Sequence, residues 1–125
     1  MEVNIPEIQE EVTQAFWDYE SALSNHDAYR LIAIFWDSPE TLRYGHGEVL
    51  YGHAEIAQFR RAQAGTILKR EITRLVVTTY GRDFATANCE TRRLDSDIAS
   101  RQSHTWVRMP EGWRIVAAHV SVQSG

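Results

Sequence analysis

The chain has 125 residues, 43 % of them hydrophobic and 24 % charged, with a net charge of −4. That size and mix suit one globular domain with a core of its own, and the acidic balance excludes an electrostatic footprint for nucleic acid. A single cysteine, Cys89, excludes a disulfide framework within the chain.

Met1-Glu2-Val3-Asn4 has neither the positive n-region nor the apolar h-region of a signal peptide. No apolar run approaches the ~20 residues of a membrane span. The expectation is a cytoplasmic protein, one domain over 1–125, with no membrane partner and no nucleic-acid partner.

Residues 5–24 read as an amphipathic helix, because Ile5, Ile8, Val12, Phe16, Tyr19 and Leu23 recur at three- and four-residue steps. Asn4 is the expected N-cap, with Pro6 in the first turn and Glu7 three residues after the cap. Asp27 is placed to cap a second helix over 28–36, which Asp37-Ser38-Pro39 ends. Two short strands flank Gly45-His46-Gly47, and a third helix is expected over 53–63. Lys69–Tyr80, Phe84–Leu94, Ser100–Met109 and Trp113–Val122 read as strands, separated by Gly81-Arg82-Asp83, Asp95-Ser96-Asp97 and Pro110-Glu111-Gly112. Helices first and sheet second predict an α+β fold: three N-terminal helices on a strongly curved, mostly antiparallel meander, giving a cone with a mouth.

No nucleophile elbow, phosphate-binding loop, H-E-x-x-H or C-x-x-C is present. Candidate chemistry therefore lies in polar residues on faces that should be apolar. Tyr19 sits on the buried stripe of the first helix, where an unpaired phenol would cost about 1–3 kcal/mol; it either hydrogen-bonds a backbone carbonyl or serves a site. Arg43 lies in the short segment Thr41-Leu42-Arg43-Tyr44-Gly45. Turned inward, its guanidinium matches a carboxylate; turned outward, it is an edge-strand arginine in solvent. Strand alternation puts Gln102, His104 and Trp106 on one face, as a ligand-binding row, an outer face or an interface. In the last strand Trp113, Ile115, Ala117, His119 and Ser121 are expected to share a face, which makes His119 either a core histidine or a ligand contact. Arg60, next to Phe59, is either a solvated residue or one that reaches the mouth. The five histidines are scattered, and no Cys or carboxylate cluster completes a zinc set, so no metal is expected. Cys89, mid-strand, reads as a small core residue. No carboxylate stands clearly on an apolar face, Glu48 and Glu90 being the nearest candidates, which argues against isomerase chemistry with an inward Asp or Glu base.

Several segments together resemble the AtzH-like proteins, a group that includes the oxalurate-catabolism protein HpxZ. They are Arg43-Tyr44-Gly45, Glu48-Val49-Leu50-Tyr51-Gly52, Phe59-Arg60, Tyr80-Gly81-Arg82-Asp83-Phe84-Ala85, Arg101-Gln102-Ser103-His104-Thr105-Trp106-Val107, and the run from Glu111 to Ser121. The resemblance covers about Pro6 to Ser121. It implies an NTF2-like (SnoaL-like) cone, a homodimer formed through sheet faces, no cofactor, and a place in the breakdown of small nitrogen-rich acids. AtzH itself resembles a decarboxylating amidohydrolase that acts on dicarboxyurea without a metal. By residue match, Tyr19 and Arg43 are the implied catalytic pair, with a small anionic substrate held by Arg60, Gln102, His104, Trp106 and His119. His104 stands where the family pattern has a second glutamine, exchanging a neutral group for a titratable one. A more distant likeness, in the last two strands, is to the association domain of the calcium/calmodulin-dependent kinase, where the role is oligomerisation. The competing function class is a non-catalytic pocket or accessory subunit partnering an amidase. Convergent polar groups inside the cone would favour the enzyme; an apolar, filled interior would favour the scaffold.

Overall fold

The computed structural model describes residues 1–63 and 68–123. In chain order the elements are α1 (Pro6–Ser24), α2 (Ala28–Ile34), β1 (Leu42–Tyr44), β2 (Val49–Tyr51), α3 (His53–Ala62), β3 (Arg70–Tyr80), β4 (Phe84–Arg93), β5 (Ala99–Met109) and β6 (Gly112–Gln123). The six strands form one sheet in the order β2-β1-β6-β5-β4-β3. Every pairing is antiparallel except β1 with β6, which run parallel. The fold is α+β as expected, with two refinements. The sheet is curved but not closed, β2 and β3 being its edges. Only α1 and α2 precede the sheet; α3 lies between β2 and β3.

The apolar stripe of α1 forms half of the core. Ile8, Val12, Phe16, Tyr19 and Ala22 are all at most 2 % exposed, and burying a side chain of the size of Phe16 contributes about 1.5–3 kcal/mol. Beneath them β4 supplies small residues and β5 large ones. Ala85 pairs with Trp106, Ala87 with His104, and Cys89 with Gln102, so narrow neighbours leave room for wide ones on the inner face. The Cys89 thiol is pushed up to about 11 by burial, as suits a small core residue.

Two helix boundaries differ from the sequence expectation. Asn4 does not cap α1. It sits at φ 60°, its N–H donates to Thr79 O, and its Oδ1 accepts from Thr79 N at 2.9 Å. The side chain that could cap the helix instead satisfies the open edge of β3, and Ile5 stands at the N-cap without a side-chain bond. Asp27 does cap α2, accepting from Arg30 N at 3.1 Å. That helix stops at Ile34 because Phe35 turns extended and bridges Ile115, while Trp36 N donates to Ile115 O.

A β-bulge in β6 decides which residues reach the interior. Trp106 pairs with Ile115 and Thr105 with Ala117, so Val116 is an extra residue. Beyond it the alternation moves by one. Ala118 and Val120 continue the inner face, and His119 opposes Ser103 on the outer face, where it is exposed and stacks edge-on against Tyr44. The expectation of one face shared by Ile115, Ala117 and His119 is corrected on this ground. A second shift, between Ile72 and Arg74, bends β3.

Candidate active site

The inner face of β5 changes character along its length. Trp106 is fully buried under α1, His104 follows at 1 % exposure, Gln102 at 7 %, and Ser100 opens towards the mouth. At that polar end a cavity of about 390 Å³ lies between the helices and the sheet. α1 contributes Tyr19 and Leu23, β1 Arg43, and α3 Phe59 and Arg60. From the sheet come Arg70 of β3, Gln102 of β5 and Val120 of β6, with His46 and Glu48 of the β1–β2 turn at the rim.

Tyr19, Arg43, Arg60 and Gln102 thus line one cavity. His104 packs behind Tyr19, rings edge to face with centroids 4.7 Å apart. Neither His104 nor Trp106 lines the cavity, and His119 lies on the opposite side of the sheet. The expected direct substrate contacts from these three are replaced by a supporting position for His104, a core position for Trp106 and a surface position for His119. The physical reasons are the depth of β5 beneath α1 and the Val116 bulge.

The polar atoms form a connected network. Arg60 Nη2 donates to the Tyr19 hydroxyl at 3.3 Å, and Gln102 Nε2 donates to the same oxygen at 3.3 Å. Arg70 Nη2 donates to Gln102 Oε1 at 2.9 Å. Arginine only donates, so the Gln102 oxygen faces Arg70 and its amide nitrogen faces Tyr19 and His104. His104 Nε2 lies in hydrogen-bond contact with that amide nitrogen and must be the acceptor, which places the His104 proton on Nδ1, where it has no partner. Arg70 is itself held by a buried ion pair with Glu20.

Charge in the cavity is uneven. Arg43 pairs with Glu48 at 2.5 Å and lies 5.2 Å from the Phe59 ring centre. Arg93, at the rim, lies 3.4 Å from the exposed Asp95. Among the described residues Arg60 has no carboxylate partner. Its Nη1 reaches only Gln63 Oε1 at 3.5 Å and its Nε is unpartnered, although the residue is 3 % exposed. Burial pushes the Arg60 guanidinium below its ordinary value, opposed by Tyr19; starting so high, it stays charged. A buried cation without a counter-ion suits an anionic ligand.

The surrounding guanidiniums also act on the neutral groups. Burial raises the Tyr19 phenol, but Arg60, Arg43, Arg70 and the Gln102 hydrogen bond outweigh it and hold the phenol below its ordinary value. Burial, then Arg70, Arg43 and Arg60, push His104 down to about 3, so its imidazole is neutral at pH 7. Among the described residues no group of three or more His, Cys, Asp or Glu side chains is placed to hold a metal.

The profile of the AtzH-like proteins matches residues 1–125. The chain belongs to the AtzH-like family. A solved structure of a protein of unknown function from Pectobacterium atrosepticum is 49 % identical, covers 98 % of this chain and 95 % of its own, and superposes with a TM-score of 0.93. A cystatin-like fold protein from Burkholderia xenovorans is 43 % identical over 100 % of this AtzH-like chain and 98 % of its own, at a TM-score of 0.92. An NTF2-like superfamily protein from Salmonella enterica, 23 % identical over 95 % of this chain and 93 % of its own, shares the fold at a TM-score of 0.78. No curated protein matches the chain.

Two members of the AtzH-like network, Glu20 and Arg70, escaped sequence reasoning, and a third, Glu48, was singled out without its partner. Glu20 is 6 % exposed, which corrects the expectation that no carboxylate occupies an inward face. Its signal was its place four residues after Phe16 on the buried stripe. Arg70 is inward two residues before Ile72, a strand-alternation signal hidden by the β-branched run that follows. Glu48 was visible as a carboxylate, but its pairing with Arg43 depends on the tightness of the β1–β2 turn.

Proposed function

We propose that this protein is a decarboxylating amidohydrolase acting on a small carboxylated urea or oxalurate-type acid. One observation carries the proposal: the Tyr19 oxygen accepts from both Arg60 and Gln102 inside a cationic cavity. A phenol has two lone pairs and one proton. With both lone pairs engaged by the protein, the proton is left for the ligand.

Arg43, fixed by Glu48, anchors the substrate carboxylate, and Arg60 supplies the unbalanced positive charge. In an N-carboxylate, the bond between nitrogen and the carboxyl carbon breaks and its electron pair stays on nitrogen. Tyr19 delivers its proton to that nitrogen as carbon dioxide leaves. The phenolate so formed is held by Arg60 and Gln102 and is reprotonated from water. A lowered phenol is the stronger acid, so the direction of the Tyr19 shift favours this step. The convergence of polar groups on one cavity supports chemistry over a filled scaffold. The outer sheet face, where Tyr44, Tyr51 and His119 cluster and Val76 is exposed, supports a homodimer through sheet faces as part of the same proposal.

The test is carbon dioxide release from N-carboxylated ureas by the wild type, Tyr19→Phe and Arg43→Lys. Loss of the acid lowers kcat by about 10²–10⁴-fold. Unchanged rates in both variants remove the site. A wild type that is stabilised by these acids but never turns them over points instead to an accessory subunit for an amidase.

A further inference from the structure

We propose that Glu20 and Arg70 are positioning residues for Tyr19: acting through Gln102, they hold the phenol oxygen as an acceptor towards the protein and leave its O–H directed into the cavity. This rests on the role proposed above for Tyr19 as the proton donor.

A glutamine amide is nearly symmetric in shape but opposite in hydrogen-bond sense at its two ends. If Gln102 were rotated by half a turn, its oxygen would face Tyr19 and accept the phenol proton, and the site would lose its acid. Its own strand does not fix the choice, because β5 offers only its direction towards the inner face. The choice is made by Arg70, whose Nη2 lies 2.9 Å from Oε1 and cannot accept. Arg70 is in turn immobilised by Glu20, which meets both its Nη2 and its Nε, the latter at 3.4 Å. The two side chains are 5 % and 8 % exposed, so water does not compete for either. His104 closes the second amide hydrogen, since its Nε2 accepts from the same nitrogen.

The chain therefore runs from a helix residue, Glu20, to a strand residue, Arg70, to a second strand residue, Gln102, and back to the neighbour of the first, Tyr19. Each bond has only one allowed sense. A carboxylate accepts, a guanidinium donates, the amide accepts at one end and donates at the other, and the phenol oxygen accepts. A buried ion pair of this kind is weak evidence for stability, and directing an amide is a role that a hydrophobic replacement could not fill.

The experiment follows the ring Cζ signal of 13C-labelled tyrosine by NMR against pH, with Tyr19→Phe identifying the Tyr19 signal. No substrate is needed, so failure here is distinct from failure of the proposed reaction. Gln102→Met removes the donor without changing charge, and Tyr19 then titrates at higher pH than in the wild type. The double variant Glu20→Met/Arg70→Met removes one charge of each sign and frees the amide to rotate; Tyr19 again titrates higher, and the same pair of changes made on top of Gln102→Met raises it much less, whereas loss of the Arg70 charge acting directly on Tyr19 would raise it equally in both backgrounds and overturn the proposal. With a turned-over acid in hand, both variants lower kcat by about tenfold or more with KM little changed, the pattern of an interaction made only in the transition state. A folded double variant in which Tyr19 titrates as in the wild type overturns the proposal. If the double variant does not melt cooperatively, Gln102→Met decides alone: an unmoved Tyr19 titration overturns it in the same way.

Discussion

Tyr19 and His104 meet edge to face, their ring centroids 4.7 Å apart and their planes at 84°. The position behind Tyr19 buries His104 among guanidiniums, which makes it a pH-sensitive part of the fold. The charges that bear on it come from every side: Arg43 on β1, Arg60 on α3 and Arg70 on β3. All are positive, and burial adds to their effect, so protonating His104 in the folded protein is opposed down to about pH 3.

The unfolded chain has no such opposition, and its His104 titrates near the ordinary 6.5. Below pH 6.5 the unfolded state holds a proton that the folded state refuses, so stability falls as pH falls, until about pH 3. Above pH 6.5 the contribution is fully present. His104→Gln should flatten this acid limb. Urea unfolding at pH 7 and pH 5 should show the wild type losing about 2 kcal/mol more than the variant between the two. Equal losses would mean that His104 is protonated in the native protein, contradicting the neutral acceptor assigned to it.

Gly45 is needed for space rather than for backbone freedom. A methyl group there would overlap the Glu48 carboxyl and come within 2.8 Å of Arg43 Nη1. Both obstacles are the ends of flexible side chains, so the fold can yield while the ion pair cannot keep its place. Gly45→Ala should melt within a few degrees of the wild type yet bind the anionic substrate about tenfold more weakly, because Arg43 loses its fixed orientation. Isothermal titration with a carboxylated urea and a thermal melt measure the two halves. Full affinity in Gly45→Ala would show that the Arg43–Glu48 geometry is not used in binding.

Arg60 supplies the cavity's uncompensated charge, which makes anion binding a test of it. A dicarboxylate such as malonate at 100 times its Kd should stabilise the folded wild type by about 2.7 kcal/mol, or roughly 10 °C in Tm for a chain of this size. In Arg60→Met that shift should fall by more than half, since Arg43 is left to hold the ligand and every remaining arginine at the cavity has a carboxylate nearby. Equal shifts in both proteins would place the ligand elsewhere.

Much of this was legible in the sequence because local rules and tertiary packing agreed. The α1 stripe, the four-strand meander and the shared face of Gln102, His104 and Trp106 follow from periodicity alone, though not which way that face points, and the family resemblance singled out Tyr19 and Arg43. Misreadings arose where a distant partner intervened. Asn4 has the chemistry of a helix cap, yet β3 takes its side chain. Phe35 continues a helical pattern, yet Ile115 draws it into a bridge. Glu20 looks like the polar flank of α1, and only Arg70, 50 residues away in sequence, explains its burial. His119 fell on the wrong face because a bulge has no strong composition signal in Ile115-Val116-Ala117-Ala118.

That bulge gives the last prediction. Between the inward Ile115 and the inward Ala118 stand two residues where a regular strand has one. Deleting Val116 therefore restores plain alternation without moving Ala118, Val120 or His119 to the other face. What it removes is the bend, and with it the course by which the second half of β6 meets β1 at Leu42↔Ala117 and Arg43↔Ala118. The Val116 deletion should fold with a loss of about 1–3 kcal/mol and should lose the thermal shift given by malonate, because Arg43 is carried on the displaced β1. Val116→Ala keeps the residue count and should retain both the bend and the shift. If the deletion responds to malonate as fully as Val116→Ala does, the curvature of β6 is not what sets Arg43 opposite Tyr19.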